Sequence, residues 1–247
     1  MTDALSNTTT YTYDLAGNRV AVTSAKGQVT RYTYDSLNRL VTVTDALSNT
    51  TSYEYDARGN RVAVTGPGSR VTTYAYDSLG RLVAVTDPLG HSTSYSYDAA
   101  GNRTSTTDAE GVTTCYGYDD LNRLVRVTEN CVDGAPSTAE TNVVTTYGYD
   151  GAGNRVQVTD ARGQATRYGY DALNRQISVT DPLSHTTSYG YDEVGNRVTA
   201  TDAKGQVTRY EYDALNRLPV QWVTLTTQAT RGRTATARPS PTPPAWS

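Results

Sequence analysis

The sequence predicts an all-β fold, a repetitive antiparallel ribbon of β-hairpins made of ten 21-residue repeats, and three observations predict it. A Tyr-x-Tyr-Asp motif recurs along most of the chain at a fixed spacing, which is typical of an array built from one supersecondary unit. The composition, with 20 Tyr, no Phe and abundant Thr and Val, favours pleated, half-buried strands. No segment shows the 3.6-residue apolar period of an amphipathic helix, so we expect almost no helix.

The spacing of the repeat is measured from the Asp that follows the second Tyr of each motif. Successive aspartates of this kind lie 21 residues apart, except for one interval of 31 between Asp119 and Asp150. The ten motifs contain all 20 tyrosines of the chain. The aligned aspartates are Asp14, Asp35, Asp56, Asp77, Asp98, Asp119, Asp150, Asp171, Asp192 and Asp213.

Each repeat reads as strand, turn, strand and turn. In "TRYTYDSLNRLVTVT", Tyr32 and Tyr34 are two residues apart and therefore share one face of a strand. The Asp, Ser and Asn that follow are turn formers. In the next strand, Val41 and Val43 share a face while Thr42 points the other way. A second polar turn, such as "DALSN" or "DAKGQ", leads into the next repeat, which gives about 20 short strands in all.

Two turn sequences alternate, so the duplicated unit is a pair of hairpins of 42 residues. One kind ends in Gly-Asn-Arg, as in "DLAGNR", and the other ends in Leu-Asn-Arg, as in "DSLNR", with one Leu-Gly-Arg variant after Asp77. We expect the motif to be structural. Its residues in the first two repeats are Tyr11, Tyr13, Asp14, Gly17, Asn18 and Arg19, then Tyr32, Tyr34, Asp35, Asn38 and Arg39.

The repeat pattern divides the chain into four segments. We expect a first block of repeats over 1–128, an inserted surface loop over 129–142, a second block over 143–218 and a non-repeat tail over 219–247. The tail is rich in Pro, Thr and Arg, so we predict that it is disordered.

The two cysteines, Cys115 and Cys131, flank the start of the insertion. They could form a disulfide that pins the loop, or they could be two unpaired thiols. Two cysteines do not make a disulfide framework and their spacing fits no metal site, so we expect unpaired thiols.

Both ends of the sequence suggest a longer parent array. The N-terminal "MTDALSNTT" matches residues 43–51, with Met1 where a strand Val belongs, and the repeat stops after Leu218. Our hypothesis is that the chain begins inside a longer repeat array and ends by a frameshift.

Bulk composition argues against several functional classes. The net charge is −3 with both signs interspersed, so no basic footprint for nucleic acid is present. No apolar run approaches the roughly 18 residues needed to span a bilayer. The N-terminus has neither the charged start nor the apolar stretch of a secretory signal.

No constellation predicts catalysis. The only histidines, His91 and His185, occupy a turn position that holds Asn, Gln or Val in other repeats, which does not suit a ligand or a general base. Residues such as Ser36 and Ser78 have no His within reach on the repeat. The regular Asp and Arg ladder fits turn capping, ion pairing and packing on Tyr better than catalysis, which needs carboxylates in different environments. We therefore expect no enzyme, no cofactor and no metal.

The segment "YTYDLAGNRVAVTSAKGQVTRYTYD", from Tyr11 to Asp35, resembles the YD-repeat or Rhs-repeat family, and the resemblance covers roughly residues 3–218. It implies a β-ribbon that curves into part of an Rhs-type β-shell, as in bacterial Rhs toxins, Tc-toxin components, wall-associated proteins and teneurins. The implied partners are the rest of a longer shell and an encapsulated toxin domain, and the implied location is secreted or cell-surface. The "DPLG" and "DPLS" sequences at Asp87 and Asp181 are ordinary turns followed by further repeats, so the family's self-cleavage role does not transfer to them.

Three functional hypotheses follow from these observations. The first is a non-enzymatic structural segment of such a shell, lacking core and toxin domains. The second is a carbohydrate-binding or adhesion surface in which exposed Tyr rows stack sugar rings, and the third and weakest is a hydrolase.

Overall fold

The structure, a computed structural model, describes residues 8–134, 138, 140–217 and the backbone of 220–224. These residues form 20 β-strands and contain no helix, which confirms the predicted all-β repeat ribbon. None of the described segments is therefore a helix long and apolar enough to cross a membrane.

The chain forms two compact units, residues 1–146 and 147–247, and the boundary falls inside the thirteenth strand. The strands that begin in the first unit are β1 Thr10–Tyr13, β2 Arg19–Thr23, β3 Val29–Tyr34, β4 Leu40–Thr44, β5 Thr50–Tyr55, β6 Arg61–Gly66, β7 Arg70–Tyr76, β8 Leu82–Thr86, β9 Ser92–Tyr97, β10 Arg103–Thr107, β11 Thr113–Tyr118, β12 Leu124–Glu129 and β13 Val143–Tyr149. Those of the second unit are β14 Arg155–Thr159, β15 Ala165–Tyr170, β16 Gln176–Thr180, β17 Thr186–Tyr191, β18 Arg197–Thr201, β19 Val207–Glu211 and β20 Val220–Thr224.

Within each unit, every strand pairs antiparallel with the next strand along the chain. In one hairpin Tyr32 lies opposite Val43 and Thr33 lies opposite Thr42, so the Tyr32 and Val43 side chains share a face. The register shifts between Thr33 and Tyr34, because Tyr34 lies opposite Leu40 and leaves one extra residue on the second strand. The same bulge recurs in most of the other Tyr-containing hairpins, for example at Tyr13, Tyr97 and Tyr191, but not between β19 and β20.

The sheet has two unlike faces and little interior. One face carries Tyr and Val, and the other, here called the threonine face, carries mainly Thr, Ser, Ala and Gly. Among the described residues only Ala63 and Thr128 are buried, at 8% and 5% exposure. The backbone ladders and the side-chain contacts between neighbouring hairpins therefore hold the units together, as in other one-dimensional repeat arrays.

Most turns at both edges of the sheet share one geometry, and the turn between Gly66 and Arg70 is an exception. In the turn from Asp14 to Asn18, the Gly17 N–H donates to the Asp14 carbonyl at 3.1 Å and the Asp14 N–H donates to the Asn18 carbonyl at 2.9 Å. The fourth residue is left-handed, with φ of 86° at Gly17 and 58° at Asn38. Gly and Asn are the residues that adopt this conformation at least cost, which explains their fixed spacing in the sequence.

The prediction of two unpaired thiols is wrong, because Cys115 and Cys131 form a disulfide. Cys115 lies on β11, and the chain turns back after β12 so that the Cys131 N–H donates to the Thr113 carbonyl at 2.7 Å. This turn brings the two Cα atoms to 5.9 Å, within the range that a disulfide spans. The spacing of 16 residues along the chain could not show that reversal.

The predicted tail begins with a strand that the sequence analysis did not expect. Residues Val220–Thr224 form β20, which pairs antiparallel with β19 although the Val and Thr pattern of the repeat is lost there. Backbone pairing needs no particular side chain, so the ladder continues one strand further than the sequence pattern. Residues 218–219 and 225–247 lie outside the described residues, and the predicted disorder of the tail stays a prediction there.

Candidate functional surface: the tyrosine face and its turns

In most motifs the hydroxyl of the second tyrosine bonds to the preceding repeat. The Tyr34 hydroxyl donates to the Arg19 carbonyl at 3.1 Å, and the Tyr55 hydroxyl donates to the Leu40 carbonyl at 2.9 Å. Each accepting carbonyl belongs to the first residue of the strand after the turn, next to the bulge. The same bond joins Tyr76 to Arg61, Tyr97 to Leu82, Tyr118 to Arg103, Tyr170 to Arg155, Tyr191 to Gln176 and Tyr212 to Arg197.

The first tyrosine of each motif contacts an arginine. The Arg19 guanidinium lies over two rings, 5.9 Å from the centroid of Tyr11 and 5.0 Å from that of Tyr32. Each arginine of a Gly-Asn-Arg turn therefore bridges the first tyrosines of two successive repeats through cation–π contacts. The same arrangement is found at Arg61, Arg103, Arg155 and Arg197.

The arginine of each Leu-Asn-Arg turn makes different contacts. The Arg39 Nε donates to the Asp35 carboxylate at 2.7 Å, and its Nη1 donates to the Asp56 carbonyl of the next turn at 3.2 Å. The same guanidinium lies 4.7 Å from the Tyr55 ring centroid. It therefore joins its own turn, the following turn and a tyrosine of the following repeat.

The two contact sets arise because the Asn-Arg pair is displaced by one residue between the two turns. In Gly-Asn-Arg turns the fifth turn residue is Asn, and Asn18 Nδ2 donates to the Asp14 carboxylate at 3.0 Å. In Leu-Asn-Arg turns the fifth residue is Arg, which takes the same bonding place. Arginine is consequently four residues after Asp in one turn and five after Asp in the other. The Asp and Arg ladder of the sequence therefore consists of two kinds of turn with different arginine contacts.

A second ladder of amides runs between turns. Asn18 Nδ2 also donates to Asn38 Oδ1 of the next turn at 2.8 Å. The equivalent bonds are Asn102 to Asn122, Asn154 to Asn174 and Asn196 to Asn216. Gly80 occupies the accepting place in the one Leu-Gly-Arg turn, and there Arg58 Nη1 donates to the Ser78 carbonyl instead.

The aspartates that open the turns are held as carboxylates. One oxygen of Asp35 accepts the N–H groups of Leu37 and Arg39, both at 2.9 Å, and the other oxygen accepts the Arg39 guanidinium. The Arg39 backbone N–H and then its side chain lower the pKa of Asp35, against some desolvation. At Asp14 the Asn18 side-chain amide contributes most to lowering the pKa. These carboxylates accept hydrogen bonds from groups of their own turns.

The two histidines serve the same turn position. His91 Nδ1 lies 3.0 Å from the Asp87 carboxylate, and His185 Nδ1 lies 2.9 Å from that of Asp181. Asn49 Nδ2 makes the corresponding bond to Asp45 at 2.8 Å. Within the described part of the chain neither histidine hydrogen-bonds a serine, and no three His, Cys, Asp or Glu side chains cluster as metal ligands would.

The fold and this surface define a class of protein: an all-β array in which the motif side chains mainly contact their own turn or the adjacent repeat. The chain belongs to the RHS Repeat family, whose sequence pattern matches over most of its length. The matched residues are 1–29, 17–50, 34–71, 55–92, 76–114, 137–165, 156–186, 170–207 and 191–234. No match to this sequence was found among the curated proteins.

Solved structures of Tc toxin components share the fold. A crystal structure of TcdB2-TccC3-TEV superposes with a TM-score of 0.68 and 16% identity, over 85% of this chain and 12% of that one. A crystal structure of TcdB2-TccC3 has a TM-score of 0.53 and 20% identity, over 89% of this chain and 14% of that one. A Tc holotoxin pore from Photorhabdus luminescens has a TM-score of 0.50 and 18% identity, over 85% of this chain and 13% of that one. This chain therefore spans about an eighth of the length of these chains.

Proposed function

We propose that this chain is a non-enzymatic structural segment of an Rhs-type β-shell in a secreted or cell-surface protein of the polymorphic-toxin kind. Its partners would be the remaining repeats of the shell and a toxic polypeptide enclosed by them. The motif residues from Tyr11 to Arg39 would serve the array itself. The observation that carries the proposal is the use of the motif side chains, since the described Tyr hydroxyls, turn Asp carboxylates and Arg guanidiniums bond within and between hairpins.

Exposed leucines at the turn tips also support a role within a larger assembly. Leu37, Leu79 and Leu121 occupy the third position of successive Leu-Asn-Arg or Leu-Gly-Arg turns and are 68%, 73% and 71% exposed. The Gly-Asn-Arg turns have the same backbone hydrogen bonds with Ala16 or Arg58 at this place, so turn formation does not require Leu. A regular row of exposed apolar side chains is typical of a surface that contacts another protein segment.

The experiment begins with the DNA that flanks the coding sequence. We expect a reading frame that encodes further repeats and a C-terminal toxic polypeptide. The full reading frame is then expressed, and the C-terminal segment should resist protease until the shell is denatured. A complete reading frame that encodes no polypeptide beyond the repeats, or a C-terminal segment digested as fast as the free polypeptide, would refute the encapsulation role.

The alternative is a carbohydrate-binding or adhesion surface formed by the Tyr rows. Sugar rings stack on free aromatic faces, whereas Arg19 and Arg61 each lie over two of the Tyr rings. The alternative stays a prediction, and a glycan array can test it. If the Tyr rows bind sugars, changing Tyr32, Tyr53 and Tyr74 together to Ala should weaken glycan binding.

A further inference from the structure

Three departures from the repeat meet at one cavity in the first unit. The cavity has a volume of about 390 Å³ and lies between β11, β12 and the inserted loop. Its lining includes Gly117, Arg126, Thr128, Cys131, Asp133 and Asn142. The departures are the insertion itself, the only two cysteines of the chain and Arg126, which replaces a small or neutral residue of the repeat.

The threonine face also carries Arg31, Arg167 and Arg209, but Arg126 stands at a register place that is uncharged in the other described hairpins. The residues at the same register place in the other described hairpins are Ala21, Thr42, Ala63, Ala84, Ser105, Gln157, Ser178 and Thr199. Opposite Arg126 lies Gly117, where an added Cβ would come within 3.4 Å of the Arg126 Cβ. Turn chemistry and strand pairing do not require a charge at this place, because every other hairpin forms without one.

The Arg126 guanidinium keeps donors available. Its Nε donates to the Thr128 hydroxyl at 3.1 Å, and no carboxylate of the described residues forms an ion pair with it. Its terminal nitrogens make no hydrogen bond to other described groups. A guanidinium whose two terminal nitrogens are free can bind a carboxylate end-on through two parallel hydrogen bonds.

The opposite wall of the cavity is fixed in place. The disulfide to Cys115 holds Cys131 over β11, and the Cys131 N–H is bonded to the Thr113 carbonyl. Asn142 closes the neck of the loop, since its side chain accepts the Val132 N–H at 2.8 Å and donates to the Val132 carbonyl at 3.0 Å. Asp133 follows directly on this wall and supplies a carboxylate acceptor. Thr128, at 5% exposure, is the buried residue of the lining.

We propose that this cavity binds a small hydroxylated carboxylate of about monosaccharide size. The carboxylate would pair with Arg126 and a hydroxyl group would donate to Asp133. The volume falls in the range of small-molecule sites, about 300–1,000 Å³. This inference is independent of the shell function, because it concerns a site at which the array is interrupted.

The test is isothermal titration of the oxidised full chain with three probes: galacturonate, tartrate and the neutral sugar galactose. Galacturonate or tartrate should bind and galactose should not, and the two acids separate a sugar acid from a shorter hydroxy acid. Arg126→Gln should weaken binding at least about ten-fold, because it removes a charged hydrogen-bonding partner. Arg167→Gln is the matched control, because it removes an arginine of β15 that does not line the cavity. This variant should leave binding unchanged.

A second variant tests the wall. Cys115→Ser/Cys131→Ser should also weaken binding, because it releases the loop that carries Asp133. Melting curves and circular dichroism establish that each variant is folded, and Arg126→Lys replaces Arg126→Gln if that variant is not. Galactose binding as tight as galacturonate binding, no binding of either acid, or binding unaffected by both variants would overturn the proposal.

Discussion

At the residue scale, a tyrosine hydroxyl in this array acts as a link between neighbouring hairpins. Tyr55 donates to a carbonyl of the preceding repeat that lies beside a bulge, where the ladder is interrupted. Phe would supply the same ring and the same apolar area but not this bond. That difference explains why the second aromatic place of the repeat is occupied by Tyr and not by Phe.

Tyr55→Phe should lower the free energy of unfolding by about 0.5–1.5 kcal/mol, the net contribution of one hydrogen bond with a neutral donor. Tyr13→Phe is the matched control, because the Tyr13 hydroxyl bonds to no described residue and belongs to the first motif. Urea denaturation followed by circular dichroism measures both values. Equal effects of the two changes would contradict the linking role.

Thr106 is a residue that the array tolerates at a cost. It occupies a place on the tyrosine face that holds Val in most repeats, and its buried hydroxyl has no hydrogen-bond partner among the described groups. A buried hydroxyl without a partner costs roughly 1–3 kcal/mol. The neighbouring Thr107 differs, since its hydroxyl bonds that of Thr113 at 2.9 Å on the opposite face.

Thr106→Val should therefore raise the free energy of unfolding by about 1–2 kcal/mol. Thr107→Val should not raise the free energy of unfolding, because Val has about the same size as Thr but lacks the hydroxyl that bonds to Thr113. The measurement is again urea denaturation of both variants. A destabilised Thr106→Val variant would show that this hydroxyl is satisfied in solution.

At the element scale, the turn is the unit that the sequence specifies most fully. Local contacts explain which residue types occupy the turn. These types are the first Asp, the left-handed Gly or Asn and the hydrogen-bond donor that follows it. Strands, pairing order, the shared face of Tyr and Val and the 42-residue alternation could all be predicted, because they depend on neighbours in sequence. The two roles of arginine could not be derived so directly, although the offset of four or five residues after Asp was a readable signal.

Contacts formed by irregular backbone were beyond the sequence pattern. The Cys115–Cys131 bond depends on a reversal after β12, and β20 forms although its side chains have left the repeat. The Arg126 cavity likewise needs the path of the inserted loop. Each of these contacts depends on the path of the backbone or of a loop that occurs once in the chain. The other repeats therefore contain no equivalent segment from which the contact could be predicted.

Gly80 gives a direct test of the amide ladder. Its φ is 77°, and Asn fills the equivalent left-handed place at Asn38, Asn122, Asn174 and Asn216. Gly80→Asn should raise the free energy of unfolding by about 0.5–1 kcal/mol, because it restricts the unfolded chain and offers an acceptor to Asn60. Gly80→Ala has no amide, and its left-handed conformation costs about 1–2 kcal/mol, so thermal melts should show no gain for that variant. A larger gain from Ala than from Asn would exclude the ladder.

The turn carboxylates make the array sensitive to acid. The pKa is lowered in the folded state at 13 turn aspartates. At Asp14 the largest cause is the hydrogen bond from the Asn18 side chain. At Asp35 the largest cause is the hydrogen bond from the Arg39 backbone N–H. A lowered folded-state pKa contributes stability that is complete above the unfolded value, near 3.9, and is lost as pH falls through the folded values. If the turn aspartates dominate the pH dependence, the melting temperature should stay level from about pH 7 to 5 and fall steeply below about pH 4.

Asp35→Asn provides the control for this pH dependence. The variant lacks one of the titrating carboxylates, so its deficit in melting temperature relative to the parent should shrink as the pH falls below about 4. Thermal melts by circular dichroism at pH 7, 5, 4, 3 and 2 measure both proteins. A parent melting temperature that is unchanged down to pH 2, or a constant deficit, would contradict the assignment to the turn aspartates.

At the scale of the whole molecule, stability is distributed along the array. The described residues have almost no buried interior, and each hairpin contacts only the hairpins before and after it within its unit. Stability is then close to a sum of repeat and nearest-neighbour contributions. A substitution should lower the stability of adjacent strands most, and this effect should decrease with distance along the chain. A substitution in a globular core would instead lower the stability of the whole domain.

Removing the disulfide tests this one-dimensional behaviour. Cys115→Ser/Cys131→Ser should lower local stability by about 2–4 kcal/mol, the usual contribution of a bridge that closes a loop of this size. Native-state hydrogen exchange should then show faster exchange in β10, β11 and β12, with little change in β3–β6 or in β16–β18. If protection falls equally in all strands, the units unfold as one cooperative body and neighbouring hairpins do not account for the stability of the array.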